Sequence, residues 1–315
     1  GGTSFQHITF FAQEQVAFNI TKALFAINTG VTESLLSLTE NTNDHISIVD
    51  VEFQHLQLAA PLIALEINTP SNHMGWLQNI HTIGNFSEIT IFNTTLKTAA
   101  IVISDNRTTD HSSQFITPLQ HDLQISIRNC SFNSNNHAGF IRFTASSILP
   151  LNISIVDFNA NLNVLNNPII NLQGNIATTI AINNIELSNS SATKITKPSG
   201  TVGTNIVSIS TFKDMTTSNI KLQGNRVACV FSVDRGSSWK AQLLLVERNI
   251  CTKNYIVVSK FIPSTTIENS TFRESASGAI SVVTAELAVL NSLQFHDMIG
   301  ASVGAVWFGT VAYIK

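Results

Sequence analysis

The chain has 315 residues, of which 43% are apolar and only 12% are charged, and its formal net charge is −3 at pH 7. That length fits two ordinary domains or one elongated domain, and the apolar share allows a large core. A charge of −3 without a basic stripe argues against a nucleic-acid-binding protein. The chain opens on Gly1 without an initiator Met, so we expect a processed or truncated product, or a segment of a longer chain.

One short pattern recurs along the chain: two apolar residues at alternate positions, then Asn or an acid, then an apolar residue three positions later. We call the Asn or acid the anchor of each copy. The copies are 46-ISIVDVEF-53, 89-ITIFNTTL-96, 125-ISIRNCSF-132, 180-IAINNIEL-187, 215-MTTSNIKL-222, 243-LLLVERNI-250 and 265-TTIENSTF-272, with looser copies at 153-ISIVDFNA-160 and 287-LAVLNSLQF-295. The anchors are Asp50, Asn93, Asn129, Asp157, Asn184, Asn219, Glu247, Asn269 and Asn291.

The alternation of apolar and polar residues predicts strands with one buried face. A second apolar run follows most copies, as in 99-AAIVIS-104 and 278-GAISVV-283. Neighbouring anchors lie from 22 residues (Glu247 to Asn269) to 43 residues (Asp50 to Asn93) apart. All-strand units of this length favour an all-β fold, a right-handed parallel β-helix solenoid of about ten coils, in a single domain over residues 1–315. A β-sandwich is the alternative, but the Asn-Gly and Asp-Gly hairpin signals are missing.

The anchors have a structural interpretation. Asn129 lies two residues beyond Ile127, so strict alternation places it on the inward face, where the strand ends and the chain turns. Asn tolerates the left-handed backbone of such bends, and stacked asparagines bond to one another between units. We also expect six apolar residues to stack in one buried column: Ile48, Ile91, Ile127, Ile155, Ile182 and Leu245.

The segments IRNCSFNSNNHAGFIRF and IENSTFRESASGAISVV resemble the right-handed β-helix repeats of pectate-lyase-like proteins. In style they are most similar to polymorphic surface proteins, whose units read Asn-x-x-Phe-x-x-Asn followed by a Gly-Ala-Ile strand. The resemblance covers roughly residues 40–310. It implies a fold and no single activity, because such repeats occur in lyases, hydrolases, adhesins and surface filaments.

The sequence contains one catalytic-motif match and no cofactor or metal motif. The match is Gly-x-Ser-x-Gly at 300-GASVG-304, but a strand-like run follows it where a nucleophile elbow needs a helix, so we do not favour Ser302 as a nucleophile. The Asn-Thr-Asp, Asp-Asp, Gly-His-Gly and Arg-Ile-Lys motifs of polygalacturonase-like enzymes are absent, as are a Gly-rich phosphate loop and Cys-x-x-Cys. One polar segment, 105-DNRTTDHSS-113, collects Asp105, Arg107, Asp110 and His111. It has the residue types of an acid/base or cation site, but we favour a loop with solvated charges. Residues 298–314 carry no charge, and we interpret them as buried strands rather than a membrane span.

The three cysteines, Cys130, Cys229 and Cys251, leave two arrangements open: one disulfide with one thiol, or three thiols. The sequence also contains Asn-x-Ser/Thr sequons, the acceptor motif of N-linked glycosylation. Those at anchors are expected to be least accessible, because a buried Asn cannot carry a sugar. We therefore favour Asn19, Asn85, Asn106 and Asn189, then Asn152, with the anchors Asn93, Asn129 and Asn269 last.

The two ends of the sequence point to a role. The chain starts almost at once with 8-ITFFAQ-13 and finishes with 304-GAVWFGTVAYIK-315, both strongly apolar. Open solenoid ends pair with further strands. We expect a non-enzymatic structural glycoprotein, extracellular or at the cell surface, that stacks end to end on copies of itself or on further chain. The alternatives are a polysaccharide lyase or hydrolase of β-helix type and a glycan-binding adhesin.

Overall fold

The structure, a computed structural model, describes residues 8–12, 17–26, 29–31, 34–40, 45–68, 79–92, 94–107, 120–136, 139–192, 195–197, 200–202, 204–252, 255–299 and 305–315. Within these ranges the chain is all strand, with no helix. Long parallel strands curl into a half-barrel, a solenoid-like arrangement in which each unit pairs with the next. Every ladder in this part of the chain is parallel except that of one hairpin.

The strands fall into three sets according to their place in the repeated unit. The first leg comprises β1 Ile8–Ala12, β4 Leu36–Glu40, β7 Ile63–Asn68, β10 Ile101–Asn106, β12 Ile141–Ala145, β15 Ile170–Gln173, β24 Tyr255–Lys260, β27 Gly278–Val283 and β30 Val306–Phe308. The second comprises β2 Ala17–Ala26, β5 His45–Gln54, β8 Asn79–Phe92, β11 Gln120–Asn133, β13 Leu151–Asn161, β16 Thr178–Ser188, β25 Ser264–Glu268, β26 Thr271–Arg273, β28 Ala285–Asn291, β29 Gln294–His296 and β31 Val311–Ile314. Two long strands, β20 Val207–Gln223 and β22 Phe231–Glu247, run through both legs.

The third set is short and leads each unit into the next. It comprises β3 Thr29–Val31, β6 Gln57–Leu58, β9 Thr95–Leu96, β14 Val164–Leu165, β17 Ser191–Ala192, β21 Arg226–Val227 and β23 Ile250–Cys251. The antiparallel hairpin of β18 Ile195–Lys197 and β19 Gly200–Val202 is inserted between β17 and β20. The insertion leaves the register intact, because Ile170 still pairs with Val207 across it.

The core consists of columns of apolar side chains that stack from one unit to the next. In the second leg Ile48 pairs with Phe86, Ile127 with Phe86 and Ile155, and Ile155 with Ile182, all of them buried. The expected column is therefore correct for Ile48, Ile127, Ile155 and Ile182. It is wrong for the other two: Ile91 is buried but stacks between Phe53 and Phe132, and Leu245 is half-buried beside Lys221.

The anchors occupy left-handed bends, as predicted, but they face outward, which corrects the inward assignment. Asp50, Asn129, Asp157, Asn184, Asn219 and Asn269 all have φ between 50° and 55°, and all are exposed. The left-handed residue interrupts the alternation of faces. Around Asn129, Ile127 points in, Arg128 and Asn129 point out, and Cys130 points in again. A rule of strict alternation places the anchor on the wrong face.

Three anchors were placed at the wrong residue. In the unit of β8 the bend falls on Glu88, with φ of 54°, which occupies the register position of Asp50 and Asn129. Asn93 is therefore not the anchor of that unit. In the unit of β22 the bend falls on Leu243, with φ of 55°, while Glu247 pairs with Gln223 further along the strand. In the next-to-last unit the bend falls on Ser292, with φ of 53°, one residue after Asn291. Asn93 is not among the described residues.

In every unit where both are described, a second left-handed residue lies five positions after the one at the first bend described above. Asn129 is followed by Ser134, Asp157 by Leu162 and Asn219 by Gly224. The other such pairs are Asp50 and His55, Asn184 and Asn189, Leu243 and Arg248, Asn269 and Glu274, and Ser292 and Asp297. The stretch between these two bends is therefore constant in length. In four later units a third left-handed residue also lies eight positions before the first of the two: Thr211, Arg235, Phe261 and Thr284.

The uncharged segment at 298–314 contains strands, as expected. Its described part includes β30 and β31, and no helix in the described residues is long and apolar enough to cross a membrane. The expectation that these strands are buried is wrong. Trp307, Tyr313 and Ile314 are exposed, while Val306 and Phe308 are half-buried.

Candidate functional site

The sequon asparagines lie on the outer surface wherever the structure describes them. Seven of the eight fall within the described ranges, and Asn93 does not. Asn85 and Asn106 are half-buried, and the exposed ones are Asn19, Asn129, Asn152, Asn189 and Asn269. Ranking the anchor sequons last is therefore not supported for Asn129 and Asn269, because both are as exposed as Asn19.

Two of these asparagines already use their side-chain amides. Asn106 Nδ2 donates to Glu66 Oε1 at 3.0 Å, and Asn189 Nδ2 donates to Asn161 Oδ1 at 3.1 Å. An N-linked sugar replaces one of the two amide hydrogens, so each amide retains one N–H for such a bond. Neither hydrogen bond is chemically incompatible with an attached glycan.

The anchors bond to one another along the outside of the first bend. Asn184 Nδ2 donates to Asp157 Oδ1 at 2.9 Å, and Asn219 Nδ2 donates to Asn184 Oδ1 at 2.8 Å. The predicted bonding between stacked anchors thus exists, but in a solvent-exposed position, where the net contribution of each bond is small.

A second ladder of amides and hydroxyls is buried at the second bend, and sequence reasoning missed it. Asn135 Nδ2 donates to Asn163 Oδ1 at 3.3 Å, and Asn225 Nδ2 donates to Asn249 Oδ1 at 3.0 Å. Backbone N–H groups join the rungs, as where Ser190 N donates to Asn225 Oδ1 at 3.0 Å. The ladder comprises Thr94, Asn135, Asn163, Ser190, Asn225, Asn249 and Ser275, with successive rungs bonded.

A signal for this buried ladder was present in the sequence. Asn or Ser recurs six positions after the left-handed residue, as in Asn129 and Asn135 or Asn219 and Asn225. The side chains satisfy backbone groups that the sharp turn removes from the sheet ladders. Asn225 Nδ2, for instance, also donates to the Leu187 carbonyl at 2.9 Å. The ladder therefore has a structural role at the bend.

The candidate acid/base segment contains a buried ion pair. Arg107 Nε lies 2.8 Å from Asp105 Oδ1, and Arg107 Nη2 donates to Asp105 Oδ2 at 2.9 Å, so the pair is bidentate. Ser147 Oγ donates to Asp105 Oδ2 at 3.0 Å, and Arg107 Nη2 donates to the Pro150 carbonyl at 3.2 Å. The expectation of solvated charges is wrong for this pair, because the two side chains are 3% exposed or less.

The buried pair is not placed to act on a large substrate. A carboxylate with no exposed surface cannot contact a polysaccharide, and both of its oxygens are already bonded. The other two residues of the proposed site, Asp110 and His111, lie outside the described residues. The described half of this segment therefore ties the end of β10 to the connection between β12 and β13, through Ser147 and Pro150.

The three cysteines are free thiols. Cys130 and Cys229 are buried, and Cys251 is half-buried, so of the two arrangements left open by the sequence the structure has three thiols. Desolvation by burial raises the pKa of Cys130 to about 11 and the pKa of Cys251 to about 12. These two thiols stay protonated at neutral pH and are unsuited to nucleophilic or metal chemistry. The part of the chain that the structure describes also holds no group of three or more His, Cys, Asp or Glu placed to bind a metal.

The most unusual surface is the last rung, formed by β30 and β31. Ala288 pairs with Thr265 on one side and with Ile314 on the other, so all three share one column. Thr265 and Ala288 are completely buried, whereas Ile314 is 57% exposed. In the first leg, Ile280 and Val282 are buried, but Val306 and Phe308, which stack on them, are only half-buried.

The same rung also leaves backbone groups free to pair. β30 pairs with β27 and β31 with β28, and no strand among the described residues covers their other edge. The exposed edge is uncharged from Ala305 to Ile314. We call β30 and β31 together the open rung. It combines apolar core side chains with the unpaired N–H and C=O groups of an edge strand.

Comparison with known proteins gives little further information. No protein-family model matches the chain, and its sequence matches no curated protein. A solved structure described as the crystal structure of the Agl-KA catalytic domain is similar over 98% of this chain, at 10% identity and a TM-score of 0.26. The chain spans 61% of the length of that protein, and a likeness this weak carries no argument.

Proposed function

We propose that this chain is a non-enzymatic structural glycoprotein, extracellular or at the cell surface, that stacks end to end in a surface layer or filament. In this proposal its units form a right-handed parallel β-helix of about ten coils. The observation that carries it is the open rung, where the core column that buries Ala288 completely reaches Ile314 at 57% exposure.

An open rung is energetically unfavourable for two reasons. The exposed Ile314 and the half-buried Val306 and Phe308 lack part of the stabilisation of about 25 cal/mol per Å² that burial provides. Edge strands with free N–H and C=O groups add further strands readily. Another rung, from a second copy or from further chain, would satisfy both needs at once.

The remaining surface favours a glycoprotein. Only 12% of residues are charged, so charge contributes little to solubility. Asn129, Asn152 and Asn269 place sequons on exposed positions of the strands and bends, and none of the three lies on the open rung itself. Glycans there would supply solubility along the sides of a rod and leave its ends free.

Replacing Ile314 by Lys should weaken stacking, because the side chain continues a buried column and would be enclosed by the next rung. We expect the association constant to fall about 10- to 100-fold, which corresponds to losing the burial of one large apolar side chain. Analytical ultracentrifugation over a range of concentrations measures the change.

The matched control is Tyr313→Lys. Tyr313 is the preceding residue on the same strand, is 74% exposed and pairs with Leu287 on the outer face. A Lys at this position stays in solvent after stacking, so association should change little. A chain that remains monomeric at high concentration without any substitution contradicts the proposal.

Covalent sugar should be present on at least two of Asn19, Asn85, Asn106 and Asn189 when the chain is secreted from eukaryotic cells. The intact mass should then exceed the 34.2 kDa of the polypeptide and return to it after treatment with peptide-N-glycosidase. Glycopeptide mass spectrometry should also test Asn129 and Asn269, which the structure exposes. An unmodified mass rules out the glycoprotein part of the proposal.

A further inference from the structure

The register of the sheet connects the first and last rungs through unbroken columns. In the first leg one column runs from Ile8 at β1 to Val306 at β30, and another runs from Phe10 to Phe308. In the second leg a column runs from Phe18 at β2 to Ile314 at β31. The first and last rungs thus hold apolar residues at the same three register positions.

This correspondence defines what could continue the stack. A strand added to the open rung must run parallel to β30 and β31, as every stacked strand in the described part does. It must also bring apolar residues over Val306, Phe308 and Ile314, because polar residues buried there without partners are costly. The first rung of this chain has Ile8, Phe10 and Phe18 at those positions.

We propose that the open rung binds the first rung of a second copy in parallel register, with Val306 over Ile8, Phe308 over Phe10 and Ile314 over Phe18. This inference rests on the proposed end-to-end stacking and adds the partner and its register. The contact joins different surfaces of the two copies, so it does not close and produces an open-ended fibre.

Charge favours the same arrangement. β1, β30 and β31 contain no charged residue, and β2 contains only Lys22. Lys22 is exposed, at a left-handed bend with φ of 54°, so it leaves the column of Phe18 free of charge. Burial of this junction therefore requires no unpaired ion.

A disulfide crosslink tests the register. Thr9 and Trp307 share an outer column, so Thr9→Cys with Trp307→Cys places two cysteines directly opposite each other across the junction. Adjacent rungs lie about 4.8 Å apart, within disulfide range. Within one copy the two residues are ten rungs apart, about 48 Å, so only an intermolecular bond forms.

Phe11→Cys with Trp307→Cys is the matched control. It moves one cysteine by two residues to the neighbouring outer column, which increases the Cα separation to about 8 Å, beyond disulfide reach. Each variant is oxidised with copper phenanthroline and run on a non-reducing gel. The unsubstituted chain serves as the background for Cys251, and circular dichroism checks folding.

We expect dimers and higher multimers from the Thr9 variant, at least about tenfold more than from the Phe11 variant. If both variants crosslink equally, or if the chains stack and neither variant crosslinks, the proposed register is wrong. The proposed end-to-end stacking would still stand. Absence of any association in the unsubstituted chain refutes the stacking itself. A folded Thr9 variant that associates without forming the disulfide likewise rejects the proposed partner surface.

Discussion

Replacing Asp105 by Ala should lower the free energy of unfolding by about 3–5 kcal/mol, the usual cost of leaving one member of a buried ion pair without its partner. Arg107, which is 3% exposed, would lose its bidentate ion pair with Asp105, and Ser147 would lose the acceptor of its hydroxyl. Urea or guanidinium unfolding followed by circular dichroism measures the loss.

Two further variants test whether burial of the Asp105–Arg107 pair causes the loss of stability. The double variant Asp105→Ala with Arg107→Met removes both charges and should recover most of the stability, since the uncompensated ion is gone. Glu186→Ala breaks the ion pair with Lys221, in which both side chains are more than 40% exposed, and should cost about 1 kcal/mol or less. Similar losses from Asp105→Ala and Glu186→Ala would contradict a buried pair.

Asn225→Ala should be the second most damaging change, at about 2–4 kcal/mol. Asn225 is completely buried, and its amide bonds Leu187 O at 2.9 Å and Asn249 Oδ1 at 3.0 Å while accepting from Ser190 N at 3.0 Å. Removing it leaves a buried N–H and a buried C=O without partners, each costing about 1–3 kcal/mol. Thermal and denaturant unfolding both report the change.

Two other substitutions serve as controls for Asn225→Ala. Asn225→Ser should retain part of the stability, because Ser190 and Ser275 occupy the same ladder in other units. Asn219→Gly removes an exposed ladder amide six residues earlier while preserving a backbone with φ of 52°. It should cost well under the loss at Asn225, about 1 kcal/mol or less. The buried ladder loses its assigned importance if Asn219→Gly proves the more harmful change.

Much of the fold could be predicted because the signal is local and repeated. The alternation around Ile127 and Ile155 predicted strands with one buried face, and both residues are buried in register. The preference of Asn for left-handed backbone predicted the bend at Asn129. Such features recur in unit after unit, so the misplaced anchors did not affect the prediction of an all-β, solenoid-like fold.

The errors occurred where local rules compete or where a partner is distant in sequence. In 243-LLLVERNI-250 a run of apolar residues fits several registers, so the anchor was placed on Glu247 although the bend is at Leu243. Burial of Asp105 depends on Ser147, 42 residues away, which no reading of the polar segment alone could supply. The apolar composition of the open rung could be seen in the sequence. Its exposure could be recognised only in the structure.

The constant five-residue interval between the two left-handed bends has a consequence for how such a chain can change over evolution. Adding one residue directly after Asn129, within that interval, would reverse the faces of Cys130 and Phe132 and break the stacking on both neighbouring units. The corner that carries the β18–β19 hairpin accepts an insertion without any shift of register. Length variation between related sequences should therefore accumulate at that corner and be almost absent between the bends.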